Sequence, residues 1–176
     1  MNTSTSDTTS AVTVNFTFMV IYMAAISAFG SFVNDMFVPA MPEMTDAFHC
    51  SIPTMELGLT MGMIGLALGQ LVLGPVSDKY GRKPALFWSL ATFVVAGTAS
   101  VFSASVGFFL VCRLFQGFGA SGGYFLARTI PTDVYGGRQL ARTMALIGAI
   151  NGVAPALAPV AGGFVSGLFG WRAVFV

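Results

Sequence analysis

This 176-residue sequence predicts an all-α integral membrane protein, and three observations carry that prediction. Hydrophobic residues make up 55% of the chain and charged residues only 9%, against about 25% charged in an ordinary soluble domain. So few charges could not cover a soluble core. The apolar residues also come in blocks too long for core helices. A helix rising about 1.5 Å per residue needs roughly 20 of them to cross a hydrocarbon layer of about 30 Å. Finally, Lys and Arg fall in alternate connections between the blocks.

The blocks define five full spans and the start of a sixth. Residues 1–11 form a polar N-terminal tail. The spans cover about 12–38, 54–73, 85–103, 106–127 and 141–164, and the sixth begins near Trp171 and breaks off at Val176. The first block is longer than a signal-peptide core and no basic segment precedes it, so it reads as a span and not a cleaved leader. Lys79, Arg82 and Lys83 lie between spans two and three. Arg128 and Arg138 lie between spans four and five, with Arg142 at the edge of span five. The connection after span one holds Glu43, Asp46 and His49, with Glu56 just inside span two, and has no Lys or Arg. Basic connections stay cytoplasmic. The expectation is a multi-pass protein of the cell membrane with its N-terminus inside. A backbone that stops in lipid leaves its last carbonyls unpaired, which costs energy. The break in span six therefore predicts a piece of a longer chain, or else a short chain that assembles with another subunit.

Several classes are excluded. A net charge of +1 gives no reason to expect a nucleic-acid partner. Cys50 and Cys112 have neither metal nor redox spacing. The single histidine, His49, lies in an outer connection. No metal, no cofactor and no nucleophile-plus-base constellation is expected, so the chain does not read as an enzyme.

Small residues and buried charges carry the functional signal. In span two Gly58, Gly62, Gly65 and Gly69 step by four, three and four, which places them on one helix face. In span five Gly148, Gly152, Pro155, Pro159 and Gly163 form a similar stripe. Small faces let helices approach closely in lipid, and each proline removes a backbone donor and bends the helix. Such stripes serve plain packing or a seam that slides during transport. Asp35 lies near the outer end of span one, either as an interfacial carboxylate in water or as a protonatable group of a cavity. Arg113 lies about eight residues into span four, roughly 12 Å along the helix. A charge at that depth costs at least about 2.5–3.5 kcal/mol, so Arg113 needs a cavity, a partner or a tether to backbone carbonyls. Between spans two and three, Gly74, Asp78, Gly81 and Arg82 stand in a turn that Gly81 would make possible. Pro84 suits the first turn of span three. Asp133 at the inner end of span four is a candidate partner for Arg82. Met and aromatic side chains in spans one, two and four suit varied apolar ligands, and equally suit lipid. Met36, Gln116 and Tyr124 are candidate cavity residues.

Five stretches together resemble the N-terminal half of a major facilitator superfamily transporter, most closely the Bcr/CflA-type multidrug efflux branch. They are NDMFVPAMP (34–42), GQLVLGPVSDKYGRKPAL (69–86), RLFQGFGASGG (113–123), ARTIPTDVY (127–135) and APALAPVAGG (154–163), the last followed by GWR (170–172). The second is the most specific. The resemblance implies an all-α fold of two six-helix halves around a cavity, with this chain forming the first half truncated early in helix six. A missing C-terminal half would be its partner. It also implies an inner gate built on Asp78, Gly81 and Arg82, a part for Arg113 in proton coupling, and an antiporter seam at Gly152, Pro155, Pro159, Gly162 and Gly163. The sequence departs from the general pattern at Ala158, where glycine is usual, and at Thr132, where many relatives carry arginine. The activity implied is export of small, mostly apolar compounds in exchange for protons, with Asp35 and Arg113 at the coupling site. The rivals are a proton-coupled uptake symporter and a non-transporting helical membrane protein.

Overall fold

A computed structural model describes residues 16–175; the expected tail at 1–11, the first four residues of span one and Val176 lie outside the described residues. Every element described is helical. In order these are α1 (Phe16–Met36), a 3-10 turn (Val38–Ala40), α2 (Met41–Phe48), α3 (Ile52–Tyr80), α4 (Arg82–Val101), α5 (Val106–Val134), α6 (Gly137–Phe169) and a closing 3-10 turn (Trp171–Phe175).

Local chemistry sets the boundaries. Ser51 and Ser105 cap α3 and α5, each accepting a backbone N–H three residues on. Gly81, at φ +96°, ends α3 and begins α4 in one residue, a conformation closed to other side chains. The helices outrun the apolar blocks. α3 and α5 have 29 residues each and α6 has 33. At about 1.5 Å per residue these exceed the roughly 30 Å of hydrocarbon, so their polar ends project beyond it. The long inner turns expected from the sequence shrink accordingly. One becomes Gly81 alone and the other becomes Tyr135-Gly136.

Among the described residues, four stretches are long and apolar enough to cross a membrane: Val20–Phe48, Ile52–Tyr80, Arg82–Val101 and Gly137–Phe169. α5, the expected fourth span, is not among them. It is as long as α3, but it carries Arg113, Gln116 and a run of small residues. Its position explains this composition, because α5 packs on α3, α4 and α1. Its glycines face three ways. A methyl group at Gly117 would overlap the Gly62 carbonyl of α3. One at Gly119 would meet the backbone of Phe93 on α4, and one at Gly123 would meet Ile26 on α1. From the other side, Gly65 and Gly69 of α3 sit against the backbone of α5. Gly58, Gly62, Gly65 and Gly69 are all buried, so the face expected for span two is the one that packs.

Span five packs within this chain through one face only. The buried face of α6 is Thr143, Ile147, Ala154, Ala158 and Gly162, and it packs on α1. Most of the predicted Gly/Pro stripe lies one position away. Gly148 and Gly152 have open space beside them, and Pro155 is exposed. Ordinary small and β-branched residues make this seam, and Gly162 alone of the proposed antiporter residues sits in it tightly, against the Met36 carbonyl.

The end of the bundle expected to face outward is closed by an apolar cluster. Phe37, Met44, Met55, Phe109, Trp171 and Phe175 are all buried there. α2 adds Met41 and Met44 and turns Glu43 and Asp46 outward. The expected start of span six is thus a 3-10 turn, and Trp171, Val174 and Phe175 plug this cluster.

Candidate functional site

A cavity of about 230 Å³ opens between α1, α3, α4 and α5. Val33, Met63, Leu66 and Phe93 give it apolar walls. Asn34, Asp35, Arg113, Gln116 and Tyr124 give it a polar side. Gly30, Gly62, Gly117 and Ala120 complete its lining.

Arg113 is the largest fully buried side chain described, at 2% exposure. Its acceptors are neutral. Nε donates to the Gly58 carbonyl at 3.4 Å, Nη1 donates to Gln116 Oε1 at 2.8 Å, and Nη2 donates to Asn34 Oδ1. The guanidinium also stands 4.9 Å from the centre of the Phe37 ring and 5.8 Å from that of Phe175. Ring faces attract cations, most strongly where water is excluded. The charge thus hangs between a hydrogen-bonding fork and the outer aromatic cluster. It keeps its charge at any accessible pH. Gly62 makes the arrangement possible, since a methyl group there would lie 3.0 Å from Asn34 Oδ1 and 3.5 Å from Arg113 Nη2.

Asp35 is half-buried on the same cavity wall. Among the described residues the ion pairs are both made by Arg82, so Asp35 and Arg113 share the cavity without pairing directly. Asn34, next to Asp35 in sequence, is the residue of this stretch that takes the Arg113 hydrogen bond. Its carbonyl occupies the Arg113 donor that a carboxylate would otherwise take.

The residues named from the sequence therefore divide. Asp35, Arg113, Gln116 and Tyr124 come together in one cavity. Met36 does not line it and packs against the outer apolar cluster. One residue along a helix turns the side chain by about 100°, which carries Met36 away from the wall that Asp35 occupies. Asn34, in the NDMFVPAMP stretch, carries no sign of its role in the sequence alone. Its part as the Arg113 acceptor depends on a contact 79 residues apart that no local pattern carries.

A second constellation lies at the opposite end. Arg82 Nη1 donates to Asp78 Oδ1 at 3.0 Å and to Ser77 Oγ at 3.0 Å, while Nη2 meets Asp133 Oδ2 at 3.2 Å. The guanidinium also lies 5.8 Å from the centre of the Phe125 ring. These contacts tie the Gly81 joint between α3 and α4 to the inner end of α5. The carboxylates are largely exposed, so each pair contributes at most about 1 kcal/mol. The cluster is weak enough to open. Gly74 is half-buried nearby, facing Phe125. Pro159 is half-buried on α6, and Gly163 lies beside Pro39 at the outer end.

Comparison with known proteins places this geometry in a family. The family model described as "Major Facilitator Superfamily" matches residues 20–176. An uncharacterized MFS-type transporter, YdgK, of Bacillus subtilis is 34% identical over 81% of this chain and 36% of its own length. A chloramphenicol resistance protein of Pseudomonas aeruginosa is 32% identical over 89% of this chain and 38% of its own length. Multidrug resistance protein D of Escherichia coli is 27% identical over 93% of this chain and 41% of its own length. The chain thus spans less than half the length of each of these relatives. Their names bear out the resemblance to the drug-efflux branch.

Proposed function

The chain belongs to the major facilitator superfamily, and from that premise we propose that it forms the first half of a proton-coupled exporter of small, mostly apolar compounds. The observation that carries the reading is the shared cavity of Asp35 and Arg113. One carboxylate that can gain a proton faces the same space as one cation that cannot lose its own. Apolar Val33, Met63, Leu66 and Phe93 offer a substrate contact area with little directional demand.

In this reading a proton from outside binds Asp35 in competition with substrate. The protonated carrier turns inward and releases the proton to the cytoplasm. Arg113 polarises the site without carrying the proton. Opening and closing of the Arg82 cluster with Asp78 and Asp133 accompanies the inward turn, and the α6 segment at Gly152, Pro155, Pro159, Gly162 and Gly163 flexes with it. The basic connections put the N-terminus in the cytoplasm. The rest of a longer transporter supplies the opposite wall and covers the open Gly148–Gly152 face of α6. A potential near 100 mV gives roughly 2.3 kcal/mol per proton, and one pH unit adds roughly 1.4. Together these sustain roughly a 500-fold gradient of a neutral substrate.

Everted membrane vesicles containing the full-length transporter test the reading. An exporter accumulates a fluorescent drug when the vesicles are energised. Release of preloaded drug on energisation would instead identify an uptake symporter, and no response to energisation would identify a non-transporting protein.

A further inference from the structure

α1 and α6 meet at three levels. Ile147 joins Met23 and Ala24 in a buried cluster. One turn further along, Asn151 Nδ2 donates to Ser27 Oγ at 2.8 Å. Near the ends of both, Gly162 lies against the Met36 carbonyl. Ser27 is fully buried, and Asn151 Oδ1 is buried with no hydrogen-bond partner among the described residues. A neutral hydrogen bond contributes about 0.5–1.5 kcal/mol, and one stranded buried acceptor costs about 1–3 kcal/mol. The pair therefore adds nothing to stability, and two apolar side chains would pack this seam as well.

Its position suggests another use. Pro155 and Pro159 lie between Asn151 and Gly162 on α6 and give no N–H to the preceding turn. The helix is held by fewer bonds there, so its contact at Gly162 depends on how the Asn151 anchor is set. Gly162 in turn supports the peptide next to Asp35.

We propose that the Ser27–Asn151 pair is a positioning device for Asp35: a weak latch that fixes the register of α6 on α1 and so sets where the carboxylate stands in the cavity. The proposal rests on the proton-coupling reading of Asp35. Neither latch residue lines the cavity, so the device acts on the carboxylate's setting and not on substrate contacts. The ionisable groups facing Asp35 are Arg113 and Tyr124 from α5, while α3 and α4 face it with uncharged side chains and the α6 seam is uncharged.

The test compares the parent with the double variant Ser27→Ala, Asn151→Leu, both in the full-length transporter reconstituted in liposomes. The double variant is expected to keep or raise its thermal midpoint, because both partners are removed together. Its substrate affinity should stay within about twofold, while the pH at half-maximal proton-driven exchange moves by about half a unit or more. An unchanged pH midpoint overturns the proposal. Failure of the double variant to fold also overturns it, since the pair is assigned no net stabilisation. Asp35→Asn is measured alongside. If that variant keeps its coupling, the proton reading fails and the latch falls with it. If it loses coupling while the double variant keeps the parent's pH midpoint, the latch alone fails.

Discussion

Arg113 brings a full charge into the bundle and meets amides, a carbonyl and two ring faces in place of a carboxylate. Its need for acceptors makes Asn34 the sensitive neighbour. Asn34→Leu would take its acceptor from Nη2 of a buried cation, and losing a partner of a buried charged group costs about 3 kcal/mol or more. Thermal unfolding of the purified full-length transporter should show a drop of several degrees for Asn34→Leu. A much smaller drop is expected for Asn34→Asp, which keeps an acceptor. Equal effects of the two substitutions would mean that the amide does not hold the guanidinium. The sequence made Arg113 and Asp35 legible because charges are costly in lipid and stand out. Asn34 was not legible, because an uncharged residue at a helix end has many ordinary uses and its partner is 79 positions away.

At the scale of the elements, close approach decides what each helix tolerates. A methyl group at Gly65 overlaps the Leu114 carbonyl, and backbone cannot move aside as a flexible side chain can. Gly65→Ala should therefore force α3 from α5 and sharply lower the yield of folded protein. Gly107→Ala, in the exposed first turn of α5, meets nothing within 4 Å and should leave the yield unchanged. Size-exclusion profiles of the two variants in detergent check the contrast. Span two was readable because all four glycines at helical spacing sit on one buried face. Span five was harder to read, because its conspicuous Gly/Pro stripe lies beside the face that packs in this chain. That face, from Thr143 to Gly162, is built largely from residue types that also suit lipid. The three-sided burial of α5 was hidden for a related reason. Its glycines follow no single period because they serve three neighbours at once.

Across the whole molecule the outer end and the inner end are held by different means. Outside, buried aromatic and methionine side chains close the bundle. Inside, Arg82 bridges Asp78 and Asp133 through largely exposed pairs. Arg82→Ala removes both pairs and should thus cost about 2 kcal/mol or less in stability while slowing transport severalfold, because the proposed cycle opens and closes this contact. A loss of stability matching the loss of transport would make Arg82 a structural anchor only. The all-helical architecture was readable from the apolar blocks. The apolar plug was not, since Phe175 meets the rings of Phe37 and Phe109, far from it in the chain.

The central claim is that Asp35 carries the coupling proton. It is tested most directly by imposing a pH gradient across liposomes that hold the full-length transporter and following drug movement. The parent should drive drug against proton flow. Asp35→Asn should bind drug yet show no movement driven by the gradient, whereas gradient-driven movement at the parent's rate in that variant would contradict the account.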